Sequence, residues 1–105
     1  MIRNYESCIK ACQQCFIDCQ HCLTQMSPME SHNSCPNCCA QCIDACLIAV
    51  KFMISDSPFV KEYCLLCAEV CEWCAKECQQ HNHEHCQICA ASCLVCAEAC
   101  RKLAA

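Results

Sequence analysis

Glycine is absent from this 105-residue chain, and proline appears three times. An all-β fold needs glycine-bearing turns and a flexible linker needs glycine or proline, so both are excluded. Charge of one sign is scarce as well. Seven basic residues against eleven acidic ones give a net charge of −4, with no basic run. That argues against a nucleic-acid partner. No apolar run approaches a membrane span by eye, so no membrane partner is expected. The opening "MIRNYESCIKACQQC" has neither an apolar signal core nor a small-residue cleavage site. The expectation is a cytoplasmic protein whose thiols stay reduced, where a cysteine framework points to metal before disulfides.

What is present in excess is cysteine, 20 residues in 105. They fall in four groups of five: Cys8, Cys12, Cys15, Cys19 and Cys22; Cys35, Cys38, Cys39, Cys42 and Cys46; Cys64, Cys67, Cys71, Cys74 and Cys78; and Cys86, Cys89, Cys93, Cys96 and Cys100. Three groups alternate steps of three and four without a break. That is the inward seam of a helix in a bundle. The second group obeys the rule through Cys35, Cys39, Cys42 and Cys46, with Cys38 in the adjoining row.

The segments between groups carry turn chemistry. Ser27-Pro28, Cys35-Pro36 and Ser57-Pro58 each suit a helix start with proline in the first turn, and Asn82 is a candidate cap. Helices are expected over 3–24, 35–54, 58–80 and 83–103. Short connections make neighbours antiparallel, so the fold class is all-α: one domain over 1–105, an antiparallel four-helix bundle with a cysteine-lined core. The second helix is apolar nearly all round from Ile43 to Ile54, which predicts a covering partner chain and a homo-oligomer. Leu65, Leu66, Val70 and Trp73 are expected to pack from the flanks.

Cysteine does pack as a small hydrophobe. A bundle gains more from leucine, which buries more area, so packing alone does not account for a seam made almost wholly of cysteine. Disulfides fit poorly too, because each thiol has several neighbours and helix faces constrain the torsion. Soft thiolates select Cu(I), Zn(II) or iron–sulfur clusters. Zinc favours closed tetrahedra on turns and iron–sulfur ligands come in wrapping loops, whereas Cu(I) accepts two or three thiolates and bridging sulfur. Spacing of three or four residues lets one helix hold a metal between pairs such as Cys67/Cys71 and Cys74/Cys78. No Lys or Arg lies on the seam, so bridging that approaches one copper per sulfur is favoured. Capacity is then roughly ten to twenty ions per chain. The candidate ligands are all twenty cysteines.

Chain topology puts the first and third connections at one end. That end carries Met26, Met29, His32, His81, His83 and His85, with His21 one turn below, all compatible with Cu(I). It is expected to be the mouth, with His81, His83 and His85 at the opening. Met53, Ile54, Phe59 and Val60, with Tyr5 nearby, are expected to plug the other end. Antiparallel counting stacks flat rings from the mouth: Cys22, Cys35, Cys78 and Cys86; then Cys19, Cys38 or Cys39, Cys74 and Cys89; then Cys15, Cys42, Cys71 and Cys93; then Cys12, Cys46, Cys67 and Cys96; and last Cys8, Cys64 and Cys100 with Val50.

At this point the chain resembles the bacterial copper storage proteins, in repeats such as "CQICAASCLVCAEAC", and the resemblance extends from Cys8 to Cys100. It implies a homotetramer of four-helix bundles storing many Cu(I) ions per chain, in the cytosolic branch of that family, with a histidine-bearing open end at His81, His83 and His85. No catalytic constellation is visible, so an enzyme is not expected. The alternatives are zinc or general soft-metal sequestration, and a protein cycling thiols and disulfides.

Overall fold

The computed structural model describes residues 2–26 and 35–105. Met29 and His32, and the Ser27-Pro28 start, lie outside the described residues, as does the side chain of Cys35. Four helices follow in order: α1 (Ile2–Met26), α2 (Cys35–Ile54), α3 (Val60–Cys78) and α4 (Glu84–Ala104). Each packs on two neighbours around a closed ring, α1 on α2 and α4, α3 on α2 and α4. The result is the expected antiparallel bundle, a rod of 43 × 20 × 17 Å.

The α2–α3 connection shows how a chain without glycine ends a helix. Asp56 takes φ 51°, the left-handed region usually given to glycine at this position. Its N–H donates to the Met53 carbonyl at 3.1 Å, and the Ser57 N–H donates to the Phe52 carbonyl at 3.0 Å. Those two bonds satisfy the last carbonyls of α2 in a Schellman turn. The turn also aims the Asp56 carboxylate at α1, where it accepts the Tyr5 hydroxyl at 2.8 Å. Ser57 then accepts the Phe59 N–H on its Oγ at 3.1 Å, so it organises the start of α3 from two residues before Phe59. The first residue before α3 is Phe59, and His83 holds that place for α4. The His83 carbonyl, not the Asn82 side chain, receives the first N–H groups of α4.

Two packing expectations are overturned. Leu65 and Leu66 point to solvent at 42 % and 51 % exposure. The flanks are packed by alanine instead: Ala68 and Ala75 on α3, Ala90 and Ala97 on α4, and Ala45 and Ala49 on α2 are all buried. Beside the short cysteines of α3 and α4 the buried flank positions are methyl-sized, while Ile9 on α1 and Ile43 on α2 complete the core. Val70 and Trp73 remain half-buried against the core. The plug is likewise half as expected, since Met53 and Val60 are buried while Ile54 and Phe59 face outward. In addition, Pro36–Ile54 of α2 is long and apolar enough by length and composition to cross a membrane, with mean hydropathy 1.5, contrary to the reading by eye. In the bundle its cysteine face is core, and Leu47, Ile48 and Ile54 are left exposed.

Asp56 does two jobs, and substitution separates them. Asp56→Gly keeps the left-handed turn and loses the Tyr5 bond, while Asp56→Ala loses both. The Ala variant is expected to melt below the Gly variant, and equal melting temperatures would contradict the turn assignment. The hydrogen bond from Tyr5 holds the Asp56 carboxyl below its usual 3.8. Its contribution is therefore present above pH 3.8 and fades on acidification below it. That acid-side loss should be missing from Tyr5→Phe.

Candidate metal centre

The seams of the four helices converge on one axis because alternating steps of three and four keep the thiols on a single helical face. Every described cysteine is buried, and none is joined in a disulfide. Among the described residues no polar or charged side chain is buried, so the interior is sulfur bounded by alanine and aliphatic groups.

Starting at the histidine end, Cys22 Sγ lies 3.8 Å from Cys86 Sγ. Cys39 lies 3.9 Å from Cys78 and 3.8 Å from Cys89. Cys89 then reaches Cys19 at 3.4 Å, and Cys19 reaches Cys93 at 3.7 Å. The middle joins all four helices: Cys15 to Cys42 and Cys93 at 3.7 Å each, and Cys42 to Cys71 at 3.6 Å. Below it Cys46 lies 3.9 Å from Cys96, and Cys96 lies 3.5 Å from Cys12. The last pair is Cys8 and Cys100 at 3.7 Å, with Cys64 buried beside them.

Thus the expected middle layers are present, but they are staggered. Cys39 sits with Cys22, Cys78 and Cys89, one step nearer the mouth than the flat-ring reading placed it. Cys38 is also in the core, with its Sγ 3.9 Å from the Cys74 carbonyl. The within-helix pairs Cys15/Cys19, Cys67/Cys71 and Cys74/Cys78 stand at 3.9–4.0 Å. Most of the close contacts, however, run between helices, and this the seam alone could not specify.

These spacings bear on coordination. With metal–sulfur bonds of about 2.3 Å, a linear pair needs sulfurs about 4.6 Å apart and a three-coordinate site about 4.0 Å. The unloaded tube is already near the second value. Sets of four Sγ atoms lie within 4.8 Å of one another, among them Cys12/Cys67/Cys96/Cys100, Cys15/Cys19/Cys42/Cys93, Cys15/Cys46/Cys71/Cys96, Cys19/Cys74/Cys89/Cys93 and Cys22/Cys39/Cys78/Cys89. Cys15, Cys19, Cys89, Cys93 and Cys96 each belong to two of these sets. The sites therefore overlap, and shared members are placed to bridge.

The histidines divide. His85 Nδ1 lies 3.3 Å from Cys22 Sγ and 3.5 Å from Cys86 Sγ, so its ring meets the sulfur tube directly. The His83 ring stacks on it at 5.2 Å and 6°, outside the core. His81 is half-buried at the α3–α4 turn, where its carbonyl accepts the Gln87 side-chain amide. His21 is exposed on α1, and Met26 is buried beneath that end.

S–H contacts push neighbouring thiols in opposite directions, while burial pushes all of them up. Cys19 is pushed up by its S–H bonds to Cys15, Cys39, Cys42 and Cys74 and by burial. Cys100 rises the same way through Cys12, Cys64, Cys67 and Cys8. Cys15 is drawn down by the S–H of Cys19 first, then by Cys42. With no cation buried among them, accumulating thiolates repel one another in a poor dielectric. The unloaded core holds its protons until a metal replaces them.

A model of the copper storage proteins matches residues 1–105, the full length of the sequence. This chain belongs to the copper storage protein family. An uncharacterized cysteine-rich protein of Bacillus subtilis, YhjQ, is 48 % identical over 82 residues, 75 % of this chain and 76 % of that protein. Among solved structures, the apo form of copper storage protein 3 from Bacillus subtilis has a TM-score of 0.91 at 48 % identity, covering 96 % of this chain and 99 % of that one. The Cu(I)-bound form of BsCsp3 has a TM-score of 0.93 at 48 % identity, with 97 % and 99 % covered. The Nmul_A1745 protein of Nitrosospira multiformis follows at 0.82 and 34 %, with 99 % and 97 % covered.

Membership of the family makes the proton balance measurable. Loading with Cu(I) should release close to one proton for each thiolate engaged, read in a pH-stat. Uptake without proton release would mean that the core is ionised beforehand. Burial raises the thiols along the tube, Cys15 as well as Cys19 and Cys100, and this shared effect stabilises the unloaded bundle below pH 9. That contribution is lost as pH rises beyond it. Denaturant unfolding of the unloaded protein should therefore show lower stability at pH 10 than at pH 8.

Proposed function

We propose that this chain stores Cu(I), many ions at a time, on the thiolates that line its core. The observation that carries this reading is the overlap of the four-sulfur sets along the whole tube. A zinc site is closed by four ligands of its own and carries two negative charges when all four are thiolates. Shared sulfurs suit an ion that accepts two or three ligands and tolerates bridges. Bridging also brings the core toward neutrality as it fills, which matters where no cation is available. The role is storage, with no reaction to catalyse. All twenty cysteines are assigned as ligands.

His81, His83 and His85 are assigned to the mouth. Support comes from the His85 ring beside Cys22 and Cys86 with His83 stacked on its outer face. His85 can take an incoming ion on imidazole and pass it to thiolates less than 4 Å away. The reducing cytosol is the proposed location, because unpaired thiols persist as ligands where they are kept reduced. A homotetramer is the proposed assembly. It is supported by Leu47 and Ile48 on the exposed face of α2, at 48 % and 40 % exposure, which a second copy would cover.

The function is tested by titrating the reduced protein anaerobically with Cu(I) and with Zn(II) against competing chelators. Retention of roughly ten to twenty Cu(I) per chain is expected, with zinc displaced by copper. Retention of a few ions, or a preference for zinc, would overturn the storage reading. His85→Ala should slow uptake while leaving the final capacity within about one ion of wild type. Sedimentation velocity should show a four-chain species, and a monomer at micromolar concentration would remove the tetramer.

A further inference from the structure

The end away from the histidines was expected to be closed. Met53 and Val60 do cap the tube there, yet beside them a cleft of about 600 Å³ opens between the start of α1 and the last turns of α4. Tyr5, Val95 and Leu103 form apolar walls, and Asn4, Ser7 and Lys102 add polar ones. Cys8 belongs to the lining. Its exposure is 3 % and that of Cys64 is 1 %, while every other described cysteine is at 0 %, including Cys22, Cys78 and Cys86 at the histidine end. The described cysteine with the most residual exposure is therefore at the end expected to be plugged, and it lines the cleft.

Cys8 is continuous with the store. Its Sγ lies 3.7 Å from that of Cys100, Cys100 lies 3.9 Å from Cys12, and Cys12 lies 3.5 Å from Cys96. The size of the cleft suits a small molecule, since pockets of about 300–1,000 Å³ take ligands of that class, and a folded domain cannot enter it. A ligand that draws a soft ion from thiolates must itself be soft, which selects a thiol. At the rim Lys102 Nζ stands 3.4 Å from Glu98 Oε1. That pair offers both signs of charge to a molecule carrying an ammonium and a carboxylate.

We propose that this cleft is a second port, at which a small zwitterionic thiol, from cysteine to a tripeptide in size, exchanges Cu(I) with Cys8 and Cys100. The inference rests on the Cu(I)-storage reading. In the outward step one incoming sulfur bonds copper as the Cys8 Sγ–copper bond breaks, and a second bonds it as the Cys100 Sγ–copper bond breaks. The protons of the two incoming thiols pass to Cys8 and Cys100, and copper leaves as a two-thiolate complex. Copper stays Cu(I), and no electron acceptor is needed.

The test begins with the capacity of the full-length protein for Cu(I). A failure at that stage counts against storage and not against the port. Cu(I)-loaded protein is then mixed with excess free cysteine, and the copper remaining on the protein is followed by rapid gel filtration. Val95→Trp and Ala99→Phe each narrow the cleft and replace no thiol. Both should lower the initial transfer rate several-fold at unchanged capacity, and wild-type rates in both would overturn the port. An independent reading needs no variant. Brief alkylation of the unloaded protein with iodoacetamide, mapped by peptide mass spectrometry, should label Cys8 ahead of Cys22 and Cys86. Labelling of Cys8 no faster than those two would sink the proposal.

Discussion

A thiol out of reach of water gives up its proton only when a positive ion takes the proton's place. The rest of the bundle is arranged around that exchange. Its interior contains sulfur and no competing cation among the described residues, so neutrality is kept by protons in one state and by metal in the other. A lysine or arginine on the seam would fix part of that charge permanently and remove sulfur from use. The acidic and basic residues are kept outside instead, in exposed pairs such as Arg101 with Glu72 at 2.6 Å, which contribute little to stability.

The same constraint explains the shape. Cysteine is short, so a seam of cysteines brings four helices closer than a leucine seam would. Space beside the seam on α3 and α4 shrinks to the size of alanine, and several larger aliphatics stand at the surface. That leaves a molecule whose exposed groups include Leu47, Ile48, Leu65, Leu66 and Val95, while its small side chains are inside, a reversal of the usual distribution. The apolar exterior and the sulfur interior are two results of one choice of residue.

Much of this was legible in the order of residues. The alternation of three and four fixes helix, face and inward direction at once, and it located all four helices to within two residues at each end. The middle layers, with Cys15, Cys42, Cys71 and Cys93 together, followed from antiparallel counting alone. What was not legible depended on distances between helices. The stagger that moves Cys39 toward the mouth, and the predominance of contacts between helices, are set by axial offset, which no single seam encodes. The alanines carried a signal that was passed over: Ala68/Ala75 and Ala90/Ala97 repeat at seven, in step with the cysteines. The caps divide for a local reason: Ser57 holds the Phe59 N–H ahead of α3, whereas at α4 the His83 carbonyl takes the place expected for Asn82, and a left-handed Asp56 closes α2.

Because neighbouring four-sulfur sets share members and draw on different helices, metal entering the tube does more than occupy it. Each ion bound by thiols from two or three helices is a rivet between them, and shared sulfurs join one rivet to the next. Local opening of a single helix, the ordinary route by which a small bundle exposes its interior, then requires breaking a row of metal–sulfur bonds together. A filled rod is consequently a different material from an empty one, cross-linked along its length by its own cargo.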